Sequence, residues 1–447
     1  MQRALSFTNS PALSVPLRFL LNVPLFALLA ALLLLWAGPE ALQSRWSPTT
    51  LALTHLLTLG VLGSAMAGAM MQILPVATGI HVAKPRLTAF VVHTLLTAGT
   101  LTLALAFLLT RPWLFGMALL LLGAAFGWLL VATAWGLWHY RKQRTKGASE
   151  ILVAVRLALL ALLVTVALGV TLATAWASGL PLPALPLTDL HGAWGLSGWV
   201  GLLLIGMAYQ LVPIFQVTEI YPRVATRWLT LTIFVLLLAY TAGMVSLDGN
   251  ARLFGHVAGL LLAAAYVVFA GMTLWLLWKR KRPQADATTL FWRTAMISLA
   301  ACGPVWLIHG SGLANLSILL GTLFIVGVAW SAINGMLYKI VPFLLWYNAQ
   351  RDLTVALRAV PKVKDIILDP VAKRQYWAHL AGLLLLLLAS VLPMSFTVPA
   401  ALCLAVSAGW LGFNIAMALR LYVHARKRIA AELAQAGDAP WASRQAR

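Results

Sequence analysis

Histidine is the side chain in this sequence best suited to chemistry in an apolar setting, and its placement is uneven. Of nine histidines, His55, His191, His256 and His309 each stand near one end of a long apolar run, and by the alternation of those runs all four share one depth. An imidazole in hydrocarbon needs a partner, either a hydrogen bond or a metal. Haem iron takes one or two axial imidazoles, and four imidazoles at one level suit copper or zinc bound directly. Singly, each of the four reads as a hydrogen-bonded packing residue; as a set, they raise a haem or metal site as the alternative.

The other five are less suggestive. His81, His139 and His424 fall in or near loops, and His93 and His379 lie in the opposite half of their runs. Asp189, two residues before His191, suits either a cap on the sixth helix or a partner that orients the imidazole. Met66, Met70 and Met71 read as core packing rather than as soft metal ligands. Cys302 and Cys403 both fall inside apolar runs, so no disulfide framework is expected. None of the eleven acidic residues lies deep in a run, which argues against a proton pump or a proton-coupled carrier. Arg156, Arg293, Lys339 and Arg420 lie near run ends, where long cationic side chains reach for the interface.

The elements that hold these residues follow from composition. The chain is 62% hydrophobic and 10% charged, far from the roughly 25% charge of soluble domains. Twelve apolar runs are long enough to span a bilayer as helices: 18–38, 52–76, 87–109, 113–138, 151–176, 191–217, 228–247, 252–278, 290–311, 316–346, 376–393 and 398–422. The expected fold class is an all-α integral membrane protein, one transmembrane domain over 1–447.

The net charge of +21 is a topology signal rather than a nucleic-acid footprint. Basic clusters follow the even-numbered runs, as in "HYRKQRTK" at 139–146, "KRKR" at 279–282 and "HARKR" at 424–428. The positive-inside rule therefore places both termini in the cytoplasm and the chain in the inner, plasma membrane, with the lipid bilayer as its main partner. The loop 347–375 is the largest expected cytoplasmic excursion, either a solvated amphipathic segment or a docking surface for a cytoplasmic partner. The residues 429–447 form a cytoplasmic tail.

One motif is written three times: "GAMMQILP" at 68–75, "GMAYQLVP" at 206–213 and "GMLYKIVP" at 335–342. Counting back from each Pro, a Gly lies seven earlier (Gly68, Gly206, Gly335) and fifteen earlier (Gly60, Gly198, Gly327), and a polar residue three earlier (Gln72, Gln210, Lys339). Two glycines eight apart share one helix face and admit a neighbouring backbone. The spacing predicts three four-helix repeats, approximately 18–146, 151–282 and 290–428, in a pseudo-threefold ring.

Twelve helices in three units, with His55 in "LTHLLTLGVLG" on the second helix and His191 in "LHGAWGLSGWVG" on the sixth, resemble subunit I of the haem-copper oxidases and divergent relatives such as the NnrS-like membrane proteins. The resemblance implies an axial haem role for His55 and, more loosely, a copper role for His191. Span 7 lacks the His pair for copper and span 10 the paired His for two haems, so a binuclear oxygen-reducing site is not expected. The site reading is a haem b, with copper as a further option, bound by His55 with His309 or His191, and His256 next. The expected function is electron transfer, nitric oxide response or metal and haem handling, with a cytochrome or quinone as redox partner. Catalytic residues are not assigned. A transporter or channel for a small solute is the alternative, and a structural subunit that kept the fold is a third.

Overall fold

A computed structural model of the chain describes residues 6–141, 149–246, 248–350 and 360–437, with side chains in the last stretch to 431. Among the described residues there is no strand. Twelve long helices follow one another: α1 (Ser14–Leu42), α2 (Pro48–Thr78), α3 (Pro85–Leu109), α4 (Pro112–His139), α5 (Ser149–Ser178), α6 (Ala184–Gln216), α7 (Arg223–Val245), α8 (Gly249–Trp278), α9 (Ala287–Gly310), α10 (Ser317–Gln350), α11 (Asp369–Ala389) and α12 (Pro393–Gly437). All but α11 are long and apolar enough to cross a membrane. In α11 the first turns carry Asp369, Lys373 and Arg374, and its apolar part begins only at Tyr376. The chain is a multi-pass membrane protein.

Successive helices alternate in direction, so the basic clusters gather at one end of the bundle, called here the basic face, and the sparsely charged loops at the far face. The motif helices are the interior of the bundle. Within their most apolar stretches, 78% of α2, 89% of α6 and 78% of α10 is buried, against 22–56% for the other spanning helices.

The motif glycines have a repeated structural use. A side chain at Gly68 would meet Phe19 Cβ at 2.8 Å, one at Gly206 would meet Ala154 Cβ at 2.5 Å, and one at Gly335 would meet Phe291 Cβ at 2.7 Å. One level further along, Gly60 takes Phe26, Gly198 takes Ala161 at 2.8 Å and Gly327 takes the Ser298 side chain. In each case the partner is the preceding helix (α1, α5 or α9), and its two contact residues are seven apart. Any Cβ at these glycines would push the two helices of the pair apart.

A second repeated feature was not legible in the sequence. Each motif helix is π-helical, with i→i+5 hydrogen bonds, around its earlier glycine: Leu56–Gly63, Ala193–Gly201 and Leu323–Trp330. A π-segment widens the helix and rotates the residues that follow it, and such segments are frequent at functional sites. His55 immediately precedes the first segment, and His191 precedes the second by two residues. Thr322 precedes the third.

Several expected boundaries move. The sixth helix begins at Ala184 rather than at residue 191, so His191 lies two turns inside it. The expected loop 347–375 is shorter: α10 continues to Gln350, a short turn spans Val363–Ile366, and α11 starts at Asp369. Residues 351–359 lie outside the described residues. Of the tail 429–447, the part up to Gly437 continues α12 and the rest is outside them. So are 142–146 of the first basic run.

Candidate functional site

His55 and His191 meet across the space between α2 and α6. Their ring centres are 6.4 Å apart and their planes are 22° from parallel. His55 Nδ1 lies 2.7 Å from the Leu51 carbonyl, one turn earlier in its own helix, and His191 Nδ1 lies 3.0 Å from the Thr165 carbonyl of α5. A carbonyl only accepts, so both Nδ1 atoms carry the proton and both Nε2 atoms keep their lone pairs. Neither Nε2 has a protein hydrogen-bond partner among the described residues.

Packing fixes the two rings. His55 stacks on Phe107 of α3 with centres 5.2 Å apart, and Phe107 in turn packs against Phe115 and Trp176. On the other side, a Cβ at Gly169 of α5 would stand 3.0 Å from His191 Cε1, so the absence of a side chain there makes room for the ring.

Two imidazoles with the proton on Nδ1 and the Nε2 lone pair unclaimed are donors of the type that metal-binding histidines present. Imidazoles that bind metals donate their second nitrogen to a carbonyl or carboxylate, which fixes tautomer and orientation. Among the described residues no three or more His, Cys, Asp or Glu side chains gather to hold a metal. The direct copper or zinc site expected of His55, His191, His256 and His309 together is therefore not assembled.

His256 and His309 sit elsewhere, on the wall of a cavity of about 550 Å³ in the far half of the bundle. Neither His55 nor His191 lines it. The Leu316 backbone N–H donates to His309 Nδ1 at 3.2 Å, which leaves the proton of a neutral ring on Nε2. This is the reverse of the His55 and His191 tautomer and removes the lone pair that a ligand to iron needs. The sequence weighed His309 and His191 as the partner of His55; the geometry brings His55 and His191 together.

Asp189 neither caps α6 nor touches His191. Its carboxylate accepts from Arg45 at 2.6 Å, tying the α1–α2 loop to α6. The expectation failed because the helix starts seven residues earlier than its apolar run suggests, which leaves Asp189 inside it. Lys339, read as reaching for the interface, is instead paired with Asp286 at 2.8 Å. Met66, Met70 and Met71 are buried packing residues, and both cysteines are free.

Two polar clusters escaped sequence reasoning. In the first, His379 of α11, wholly buried, meets Ser331 Oγ through Nε2 at 2.8 Å and Asn334 Nδ2 through Nδ1 at 3.4 Å. His93 of α3 likewise meets Asn22 at 3.2 Å, and Asn22 donates to Ser64 and Thr97. Ser64 and Ser331 both stand eleven residues before the motif prolines, a signal the sequence did carry. The second cluster lies at the basic face. Arg280, one of the four cations of "KRKR", is buried and bonds Gln216, Thr289 and the Gln284 carbonyl. Burial lowers its pKa from the ordinary arginine value, partly offset by Asp286. Burial alone would raise Asp286, but Lys339 and the bonds from Thr289 outweigh it and hold the carboxyl below its usual range. Asp286 also caps α9, accepting from the Thr289 N–H at 2.9 Å.

Compared with protein-family models and with curated proteins, the chain matches none. Its functional reading rests on this geometry.

Proposed function

We propose that this protein is a haem-binding electron-transfer protein of the membrane, a divergent relative of haem-copper oxidase subunit I whose three four-helix repeats form a ring. The observation that carries the reading is the His55–His191 pair, with both Nδ1 atoms committed to carbonyls and both Nε2 atoms free. By the positive-inside rule the basic face is cytoplasmic and the pair lies in the outer half of the inner membrane.

A haem b held by His55 and His191 would supply a one-electron change, the chemistry of electron transfer. The chain's own residues do the rest. Leu51 and Thr165 orient the imidazoles through their carbonyls and raise their basicity. Phe107 stacks on His55 and is backed by Phe115 and Trp176, an apolar wall on the His55 side that would tune the potential of a bound iron. The repeated glycine contacts and π-segments support the ring arrangement.

The test is an absorption spectrum of protein purified from haem-replete cells. A Soret band in the wild type, lost in both His55→Ala and His191→Ala, is the expected result. A colourless, iron-free wild type would sink the reading. The alternative, passage of a small solute, is favoured by the cavity in the far half, and uptake into proteoliposomes is the corresponding measurement.

A further inference from the structure

The cavity of about 550 Å³ has a polarity gradient along the membrane normal. Its floor is made by Val326, Leu386 and Leu404, while its rim toward the far face carries Arg45, Asp189, His256 and His309. We infer that it is a binding site for an uncharged amphiphile whose polar end presents a hydrogen-bond acceptor. The volume lies within the 300–1,000 Å³ usual for small-molecule pockets.

Charge at the rim sets the first half of this assignment. Arg45 and Asp189 are the fixed charges among the lining residues, and they are spent on each other at 2.6 Å. A charged ligand would enter an apolar space without a free counter-charge, at a cost an uncharged one avoids.

Tautomer sets the second half. The Leu316 N–H occupies His309 Nδ1, so the wall offers an Nε2–H donor that no protein group takes up among the described residues. An unmatched donor on a largely apolar wall recognises a carbonyl, ether or hydroxyl oxygen and discriminates against its hydrocarbon analogue. The site is separate from the His55–His191 pair, and the inference stands whether or not that pair binds haem.

The test uses hexanophenone and hexylbenzene, which differ by a carbonyl in place of a methylene, in equilibrium dialysis against the purified full chain in detergent. Gly321→Phe supplies the blank: Gly321 lines the cavity and a Cβ there meets nothing within 4 Å, so the ring fills the space without a backbone clash. The ratio of hexanophenone to hexylbenzene affinity should be about three- to tenfold higher in wild type than in His309→Leu, the worth of one hydrogen bond once the hydration of the ketone cancels between the two proteins. His309→Leu should still bind both probes, His309→Gln should keep part of the higher ratio, and Gly321→Phe should lose both ligands. The same ratio for the two probes in wild type and His309→Leu, or binding no greater in wild type than in Gly321→Phe, overturns the inference.

Discussion

His55 and His191 each spend one ring nitrogen on a backbone carbonyl and keep the other clear of protein, whereas His379 gives both nitrogens to side chains. The two kinds occupy different halves of the bundle, the pair toward the far face and His379 with His93 toward the basic face. Burial does not separate the two kinds, because His93 is half-buried like His55 and His191 while His379 is fully enclosed. What separates them is the account of lone pairs. A ring with a spare lone pair is available to a metal; a ring whose two nitrogens are matched by Ser331 and Asn334 is part of the packing.

The sharpest way to break this contrast is to remove each kind in turn and read the Soret band against the stability of the folded protein. His55→Ala and His191→Ala should each abolish haem retention, while His379→Ala and His309→Ala should leave the band per folded molecule unchanged. A graded version exploits Gly169: with 3.0 Å between a new Cβ and His191 Cε1, Gly169→Val must displace the ring, and haem retention should fall at least tenfold with the fold intact. Loss of the band in His379→Ala at full folding would erase the distinction.

His379 should instead register in stability. Truncation to alanine leaves Ser331 and Asn334 without their partner and opens a cavity beside Trp330, for a loss of about 3 kcal/mol. Chemical denaturation in a fixed detergent, compared with His55→Ala, checks the asymmetry. A cost for His55→Ala in apo-protein as large as that for His379→Ala would mean that the pair is packing after all.

Much of the fold was legible because a membrane forces long apolar helices and because the glycines at fixed spacing admit the preceding helix. Phe19 and Phe26, Ala154 and Ala161, Phe291 and Ser298 could not be named from sequence as the residues that fill those spaces, yet the need for two contacts on one face could. The site was less legible. Hydropathy placed four histidines at one level but says nothing of rotation about the helix axis, and the π-segments reset that rotation after His55 and His191. The Thr165 carbonyl that fixes His191 comes from a helix in which no side chain advertises a role. Arg280 was hidden by its neighbours, since Lys279, Lys281 and Arg282 made it look like one more topology charge.

That buried arginine belongs to a third region, where charge rather than imidazole is enclosed, and pH is the means to read it. The folded pKa of Asp286 is depressed, so its contribution is fully present above the ordinary carboxylate value near pH 4 and is lost as pH falls through the lower folded value. As pH falls below about 4 the wild-type Tm should fall more steeply than that of Asp286→Asn. With both partners mostly shielded, the difference at neutral pH should be on the order of 1 to 2 kcal/mol. Parallel pH profiles would show that the pair with Lys339 is not formed in the membrane.

The smallest effect is expected at Asp189, and its size is informative because three roles for this residue differ in magnitude. As a helix cap, its removal would cost about 1 kcal/mol; as the orienting partner of His191, it would change the haem spectrum. As the exposed partner of Arg45 it should do neither, because solvent screens a pair whose side chains are 34% and 42% exposed. Asp189→Ala should therefore shift stability by less than about 0.5 kcal/mol and leave the Soret band in place. Its one clear effect should be at the cavity rim, where the freed Arg45 charge would let a carboxylate-bearing analogue of hexanophenone bind that the wild type rejects.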